Sequence, residues 1–417
     1  MKTIFNFLVI LISISAFSQN KLSYLKKNSF DISDKKFIFP ESNFNIIGFG
    51  AYHGSEKTED VEIEIIKSVL KKTSIKYYLP ETDFSIAHYF NDFLVRGDTI
   101  LLKDLIIQYG IRVPQERTIE VYNKWKDLKK INDNLPERNK VKVLGIDLLV
   151  SNKYVSKHIL EIVKNQNNQF PILSEINQMV KTDTTSYSTE NTSFSSILLK
   201  KFITDYENNS EKYEKNITNK FEFNQILKNL KISFSDKSER EKTMYENYLI
   251  FSSEYNFKEN PQFLRMGFFH LEKSREGKNG YLSFFTRLIE NKIYSKEKVI
   301  SIIGFLTKSE VLWDEKYNGE QYIGYTTEGG FGIGDYEKEY FRGIQNLKDA
   351  KISDETLFRL NKKNSPYLTK VPDLIEVIMT DSDSNSNRVI KTSTLDYLDY
   401  AILISNSKAS VPIFEMK

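Results

Sequence analysis

The stretch Ile46–Gly54, Ile-Ile-Gly-Phe-Gly-Ala-Tyr-His-Gly, is the most informative segment of this chain. The short apolar run at residues 44–49 predicts a buried strand that ends in glycine, and an acidic amphipathic helix follows it directly. His53, one of only four histidines among 417 residues, then lies at the carboxyl end of a strand and near a helix N-terminus. Open α/β sheets usually bind ligands at such positions. Because imidazole takes and returns a proton near neutral pH, His53 is the leading catalytic candidate.

Short apolar runs alternate with helical patterns along the rest of the chain. Further buried strands are predicted at residues 75–79, 141–146, 264–269, 299–305 and 400–404. Helices are predicted at residues 61–70, 85–95 and 118–131, where apolar side chains recur at helical spacing. This alternation is typical of an α/β fold with a mainly parallel central sheet and helices on both faces. The longer polar helical segments at about 151–260 predict a helical insertion in that fold.

The N-terminus predicts export. Residues 1–18 combine a positive start at Lys2, an apolar stretch and the small-x-small sequence Ala16-Phe17-Ser18, which is typical of a cleaved signal peptide. We therefore expect a periplasmic or secreted protein whose single domain spans residues 19–417. The sequence contains no cysteine, which excludes disulfides, thiol nucleophiles and zinc-thiolate sites.

Composition limits the classes of partner that we expect this protein to bind. The formal charge is +3, and lysines and acids are interleaved along the chain, so we expect no nucleic-acid or membrane partner. A small-molecule substrate is the expected partner. The sequence contains neither a P-loop nor a Gly-x-Ser-x-Gly elbow, and the glycine-rich run at residues 328–334 predicts a loop or hairpin and not a phosphate cradle. The oligomeric state cannot be inferred from the sequence.

Four polar residues follow four predicted strands. They are His53, Glu81 in Leu-Pro-Glu-Thr-Asp, Asp147 in Leu-Gly-Ile-Asp, and His270 in Arg-Met-Gly-Phe-Phe-His. In a parallel sheet these strand ends open on one edge, so the sequence predicts that two imidazoles and two carboxylates converge on one cleft. The alternative for each residue alone is a helix cap or a packed side chain.

The same segments resemble the erythromycin esterase-like family. The resemblance is carried by Gly-Ala-Tyr-His-Gly at residues 50–54, Glu81, and Asn-Asp-Phe-Leu-Val-Arg-Gly at residues 91–97. Gln-Glu-Arg-Thr at 115–118, Val-Leu-Gly-Ile-Asp at 143–147, and His-Leu-Glu-Lys at 270–273 are similar to later family segments, as are the strands near 303–305 and 395–404. The resemblance implies metal-independent ester hydrolysis, in which a histidine activates water and carboxylates orient it.

Two departures from the family pattern bear on that chemistry. Gly50 and Ala51 stand where the family has an acid, and Gly267 and Phe268 replace a histidine and an asparagine. A remodelled enzyme and a ligand-binding relative without activity are both compatible with these changes.

The predicted roles follow from side-chain chemistry. His53 is the predicted base, held in one tautomer by Glu81, and His270 is a second base or an oxyanion partner. The permanent charge of Arg117 suits an oxyanion or an anionic substrate group, or else a helix salt bridge, and Asp147 would orient Arg117 or a histidine. The predicted substrate-binding residues are Tyr52, His88 and Asn91.

Three functions stay open on the sequence alone. The first is a metal-independent hydrolase of carboxylic esters or lactones, with neither cofactor nor metal. The second is a metal-dependent hydrolase that binds a cation through His53, His270 and Glu81. The third is an exported binding protein on an inactive esterase scaffold.

Overall fold

The computed structural model describes residues 20–182, 189–190, 192–235, 239–329 and 335–417. The predicted signal peptide lies outside the described residues, as do residues 183–188, 191 and 236–238 of the predicted insertion and residues 330–334 of the glycine-rich run. Within the described residues, no helix is both long enough and apolar enough to cross a membrane.

The strands are β1 (Ser29–Asp31), β2 (Ile46–Gly50), β3 (Tyr77–Pro80), β4 (Lys142–Val143), β5 (Gln262–Met266), β6 (Val299–Thr307), β7 (Glu310–Asn318), β8 (Gln321–Gly329), β9 (Glu339–Phe341), β10 (Glu355–Arg359), β11 (Val377–Met379) and β12 (Tyr400–Ser405). The α-helices are α1 (Glu56–Leu70), α2 (Phe84–Arg96), α3 (Thr99–Tyr109), α4 (Ile119–Asp133), α5 (Asn152–Ile162), α6 (Pro171–Thr182), α7 (Phe194–Asn208), α8 (Ser210–Glu214), α9 (Lys220–Ser233), α10 (Arg240–Glu254), α11 (Phe284–Glu290), α12 (Ile344–Ala350), α13 (Ser386–Val389) and α14 (Thr394–Tyr397). Residues 20–27 are also helical.

The chain divides into two compact units. Unit 1 comprises the residues up to 75 together with 258–411, and unit 2 comprises 76–257 together with 412–417. The sequence predicted one domain with a helical insertion at about 151–260. The described part of that stretch contains the six helices α5 to α10, the last of which ends at residue 254. The stretch belongs to unit 2 as far as residue 257.

Unit 1 contains a mostly parallel arrangement of strands in the order β1-β10-β12-β6-β2-β5. β12, β6, β2 and β5 run parallel to one another, while β1 and β10 add antiparallel pairs at one end. Every residue of β2, β5, β6 and β12 is buried. These strands are apolar and rich in β-branched residues because both faces of a parallel sheet are covered.

The helix after β2 follows from its sequence pattern. α1 buries Val61, Ile65 and Val69 on one face, and Glu56 and Glu59 lie in its first turn, where the helix dipole favours acids. The turn that joins β2 to α1 contains Gly54 at φ +83°, a conformation that glycine adopts without steric cost.

Unit 2 contains the parallel pair β3 and β4 together with α2 to α10. Asp83 caps α2 by accepting from the backbone N–H groups of Ser85 and Ile86, and Gly97 ends it in the left-handed conformation. Gly145, which follows β4, packs on the turn that follows β3: a Cβ atom here would lie 1.9 Å from the carbonyl oxygen of Asp83. The two strand ends are therefore tied together by backbone contact.

The predicted α/β class with a mainly parallel sheet is confirmed, and helices surround the strands. Some predicted bounds are wrong. β4 is only two residues long, and β5 ends at Met266 because residues 268–271 form a 3₁₀ turn.

Candidate functional site

His53 lies in a tightly held turn of unit 1. The Gly54 carbonyl oxygen accepts from the backbone N–H of Leu312, at 2.7 Å, and of Ser410, at 2.9 Å. His53 itself is partly exposed. The neighbouring Tyr52 is also partly exposed, and burial together with the nearby charges of Glu328 and Glu339 raises its pKa, so its phenol stays protonated. The turn thus presents an imidazole and a phenol from a fixed backbone.

His270 follows the strand next to β2. β5 pairs with β2 in parallel register, with Gly50 opposite Met266, so the turns that contain His53 and His270 leave the sheet at the same edge. The sequence predicted that these two histidines also share one cleft, and that convergence stays a prediction. His270 is 9% exposed and lies in the 3₁₀ turn Phe268–Leu271.

A buried ion pair fixes the segment after His270. The Lys273 ammonium donates to both carboxylate oxygens of Asp399, at 2.9 and 2.8 Å, and Asp399 also accepts from the backbone N–H of Ser301 on β6. The backbone N–H of Lys273 donates to the carbonyl of Tyr397. His270 is therefore positioned by a segment that is anchored on the sheet.

Apolar packing occupies the position where the family has an acid. A Cβ atom on Gly50 would lie 2.7 Å from the Phe268 Cα, and Ala51 is 1% exposed with its methyl group close to Gly304. Gly50, Ala51 and Phe268 are three of the positions at which the sequence departs from the family pattern. Gly50 therefore packs directly against Phe268, and Ala51 packs against Gly304 of β6.

A cleft of about 710 Å³ opens beside His270 in unit 1. Its lining includes four acids, Glu272, Glu276, Glu339 and Asp383. Burial and the neighbouring charge of Glu276 raise the pKa of Glu272 to about 8, so Glu272 is mostly protonated at neutral pH. Glu276 accepts from the Asn385 amide at 2.6 Å and from the Arg388 guanidinium at 2.8 Å. The cleft thus brings together an imidazole, a neutral carboxylic acid and a fixed carboxylate.

Glu81 and Asp147 form ion pairs with the same arginine in unit 2. Arg240 donates to Glu81 at 2.5 Å and to Asp147 at 2.6 Å, and Arg112 donates to Asp147 at 2.6 Å. Asp147 is fully buried, and although burial alone would raise its pKa, the charges of Arg112 and Arg240 hold that pKa below its usual value. The sequence predicted that these two acids share a cleft with His53 and His270, and that Asp147 orients Arg117 or a histidine. In the structure the ion-pair partners of Asp147 are Arg112 and Arg240.

Arg117 lies elsewhere in unit 2. Its guanidinium is 5.6 Å from the ring centre of Phe414, and its side chain packs where a Cβ on Gly110 would lie. Its carbonyl accepts from the backbone N–H of Ile413. Asn91 is engaged with β4: its amide donates to the Val143 carbonyl and accepts from the Val143 N–H, both at 2.8 Å. Both side chains thus have contacts that stabilise the unit.

His88 lines a second pocket, of about 480 Å³, in unit 2. Its ring stacks on that of His158, to which the sequence gave no role because it lies in a polar helical stretch. His158 is fully buried, and Glu222 lies beside it. No sequence pattern indicates this cluster, because its three members lie on three separate helices.

Comparisons with known proteins show a shared fold. No protein-family model and no curated protein matches the chain. Among solved structures, a Bacillus cereus protein is 16% identical with a TM-score of 0.61, covering 95% of this chain and 99% of that chain. A succinoglycan biosynthesis protein is 13% identical with a TM-score of 0.62, covering 94% and 98%. A mutant of the erythromycin esterase EreC in its open conformation is 11% identical with a TM-score of 0.58, covering 89% and 93%.

These likenesses cover most of each chain, so this chain shares the fold of these solved structures. At such identities the likeness establishes the fold alone.

Proposed function

We propose that this protein is an exported hydrolase, periplasmic or secreted, that cleaves a carboxylic ester or lactone with histidine-activated water and without a catalytic metal. The observation that carries the proposal is the cleft in unit 1, which is lined by both His270 and Glu272, whose raised pKa keeps it protonated at neutral pH. A base and an acid in the same cleft are the two groups that ester hydrolysis requires.

The proton transfers balance over one turnover. His270 accepts a proton from water as the water oxygen bonds to the carbonyl carbon, which gives a tetrahedral intermediate. When the intermediate collapses, the ester C–O bond breaks and the leaving oxygen takes the proton of Glu272. The imidazolium of His270 then returns its proton to the Glu272 carboxylate, directly or through water, and both groups regain their starting states.

His53 is the second imidazole of this proposal. It follows the strand adjacent to that of His270, at the same edge of the sheet, and it is partly exposed. Tyr52, next to it, keeps its phenolic proton and can donate a hydrogen bond to substrate. Glu81, Asp147 and Arg117 as catalytic residues, and His88 and Asn91 as substrate-binding residues, stay predictions that derive from the sequence.

The cleft favours a substrate with an apolar body. Phe269 and Tyr281 line it and are 57% and 61% exposed, and Val377 and Met379 add further apolar surface. Large exposed aromatic side chains in a cleft are typical of binding sites for apolar groups. The substrate class is therefore a hydrophobic ester or lactone, handled outside the cytoplasm as a free small molecule.

The test is a panel of aryl esters, alkyl esters and macrolactones, assayed with and without chelator. We expect hydrolysis by the wild type that survives chelation, and strong losses in His270→Ala and His53→Ala. Lys351→Ala serves as the control because Lys351 forms a surface ion pair with Asp354, away from the cleft residues in sequence. Activity that chelator abolishes indicates a metal-dependent hydrolase. Tight binding of a panel member without turnover indicates a binding protein on this scaffold, and either result overturns the proposal.

A further inference from the structure

Polar contacts that involve two histidines join two helices of unit 2. The rings of His88 on α2 and His158 on α5 stack with their centres 3.9 Å apart. Ser85 on α2 lies 3.2 Å from Nδ1 of His158, and Glu161 on α5 lies 3.3 Å from Nε2 of His88. Each helix therefore supplies one imidazole and one polar partner for the imidazole of the other helix.

A third helix adds a carboxylate. Oε2 of Glu222, on α9, lies 3.5 Å from Nε2 of His158, which is long for a hydrogen bond. His88, His158 and Glu222 each offer one donor atom, and these atoms all lie within 4.8 Å of one another. Among the described residues, this is the one such group of histidines and acids that has the arrangement of metal ligands.

We propose that His88, His158 and Glu222 bind one divalent transition-metal ion. Two imidazole nitrogens and one carboxylate oxygen form a ligand set that suits Zn²⁺ and Fe²⁺. The three ligands come from three different helices, so an ion bound here would join α2, α5 and α9. This inference does not depend on the hydrolase proposal, since all of its residues belong to unit 2.

Ser85 and Glu161 have the positions of supporting groups. A ligating histidine usually makes a hydrogen bond with its second nitrogen, which fixes the ring orientation and the tautomer. Ser85 contacts Nδ1 of His158, so Nε2 of this ring points toward Glu222. Glu161 is itself held by the Tyr89 hydroxyl at 2.5 Å. This support limits how far the imidazoles must move to bind an ion.

The cluster has an opening to solvent. His88 and Glu222 line the pocket of about 480 Å³, together with Lys142 and Tyr255, whereas His158 is fully buried behind them. The Lys142 ammonium lies 4.8 Å from the Tyr255 ring centre. The pocket therefore gives an ion a route of entry and leaves one side of the site for an exchangeable ligand.

The experiment is a titration of the full-length, tag-free, chelator-treated protein. Zn²⁺ binding is measured by calorimetry, and Co²⁺ binding by the visible absorption of the bound ion, which reports its coordination. The ligand variants are His88→Ala and Glu222→Gln, both at partly exposed positions, so loss of folding is not expected; circular dichroism checks this. The controls, His53→Ala and His270→Ala, each remove a histidine that lies outside the cluster.

We expect one ion per chain in the wild type and in both controls. His88→Ala and Glu222→Gln should weaken Zn²⁺ binding by at least about a hundredfold, because losing a supporting group alone costs about 10–100-fold. The Zn²⁺ affinity of Glu161→Gln should fall by about 10–100-fold, the range for a supporting group. Absence of stoichiometric binding by the wild type, or undiminished binding by folded His88→Ala, would overturn the proposal and leave a structural histidine–glutamate network. Loss of binding in a control variant would place the ion in unit 1 instead.

Discussion

Gly50 approaches Phe268 so closely that a Cβ atom on Gly50 would lie 2.7 Å from the Phe268 Cα. Leu271 lies 2.9 Å from the same point. Since the obstacle includes backbone, it does not yield to a change of rotamer. Glycine at this strand end and Phe268 in the turn after β5 are therefore parts of one packing arrangement.

Gly50→Ala should destabilise the protein. The added methyl group overpacks a fully buried strand end, and overpacking costs about 1–3 kcal/mol. Chemical denaturation of the variant and the wild type measures the difference. Gly329→Ala is the matched control, because the nearest atom to its Cβ would be 3.8 Å away, and its stability should be close to that of the wild type. Equal stability of Gly50→Ala and the wild type would show that the turn of Phe268 adjusts freely.

Arg240→Gln should lower the free energy of unfolding by more than Gly50→Ala does, by about 3–5 kcal/mol, because it removes the cation that Glu81 and Asp147 share. Arg275→Gln, which breaks the exposed pair with Glu290, should change stability by less than about 1 kcal/mol. Urea unfolding at neutral pH compares the two variants. A loss in Arg240→Gln no larger than in Arg275→Gln would contradict the assigned contacts.

The effect of Arg240→Gln should depend on pH. The pKa of Asp147 is lowered in the folded state from its ordinary 3.8, so its ion pairs add stability above about pH 4, and that stability is lost as the pH falls through the lower folded pKa. The difference between Arg240→Gln and the wild type should therefore shrink in unfolding experiments below about pH 4. A difference that stays constant from pH 3 to pH 7 is incompatible with this ion pair.

Glu272→Gln should change two pH profiles. The pKa of Glu272 is raised from 4.5 to about 8, so the stability that it contributes is complete below its unfolded pKa and is lost as the pH rises through about 8. Melting temperatures should accordingly fall less for Glu272→Gln than for the wild type between pH 5 and pH 9. If Glu272 is the proton donor, wild-type turnover should also decline above about pH 8, and the variant should lack this decline. Identical melting profiles would show that Glu272 ionises normally.

Much of the fold could be predicted from local patterns. The buried strands after residues 44, 75, 299 and 400 are continuous apolar runs, and Asp83 and Gly97 mark the ends of α2 by ordinary capping. α3 was missed, although Asp98 caps it and is a recognisable start signal. The hairpin of β7 and β8 was missed because its residues are largely exposed and polar, so no apolar pattern distinguishes them from a loop.

The candidate site was predictable only in part. Strand ends indicated His53, Glu81, Asp147 and His270, because parallel strands order their carboxyl ends along one edge. Arg240, Arg388 and Asn385 were not predicted, since each reaches its acid from a helix or loop far along the chain. Glu272 was noted for its place in a motif, but its pKa depends on burial and on Glu276, which no sequence pattern reports.

Hydrolysis in water enriched in ¹⁸O tests the central claim most directly. The product acid from a cleaved ester or lactone is analysed by mass spectrometry, with the wild type and folded His270→Ala compared at matched concentration. We predict that the acid gains one ¹⁸O atom, supplied by the attacking water, and that His270→Ala lowers turnover by about a hundredfold or more, the usual effect of removing a positioned base. An unlabelled acid, no cleavage of any ester or lactone, or undiminished turnover by His270→Ala would contradict the account.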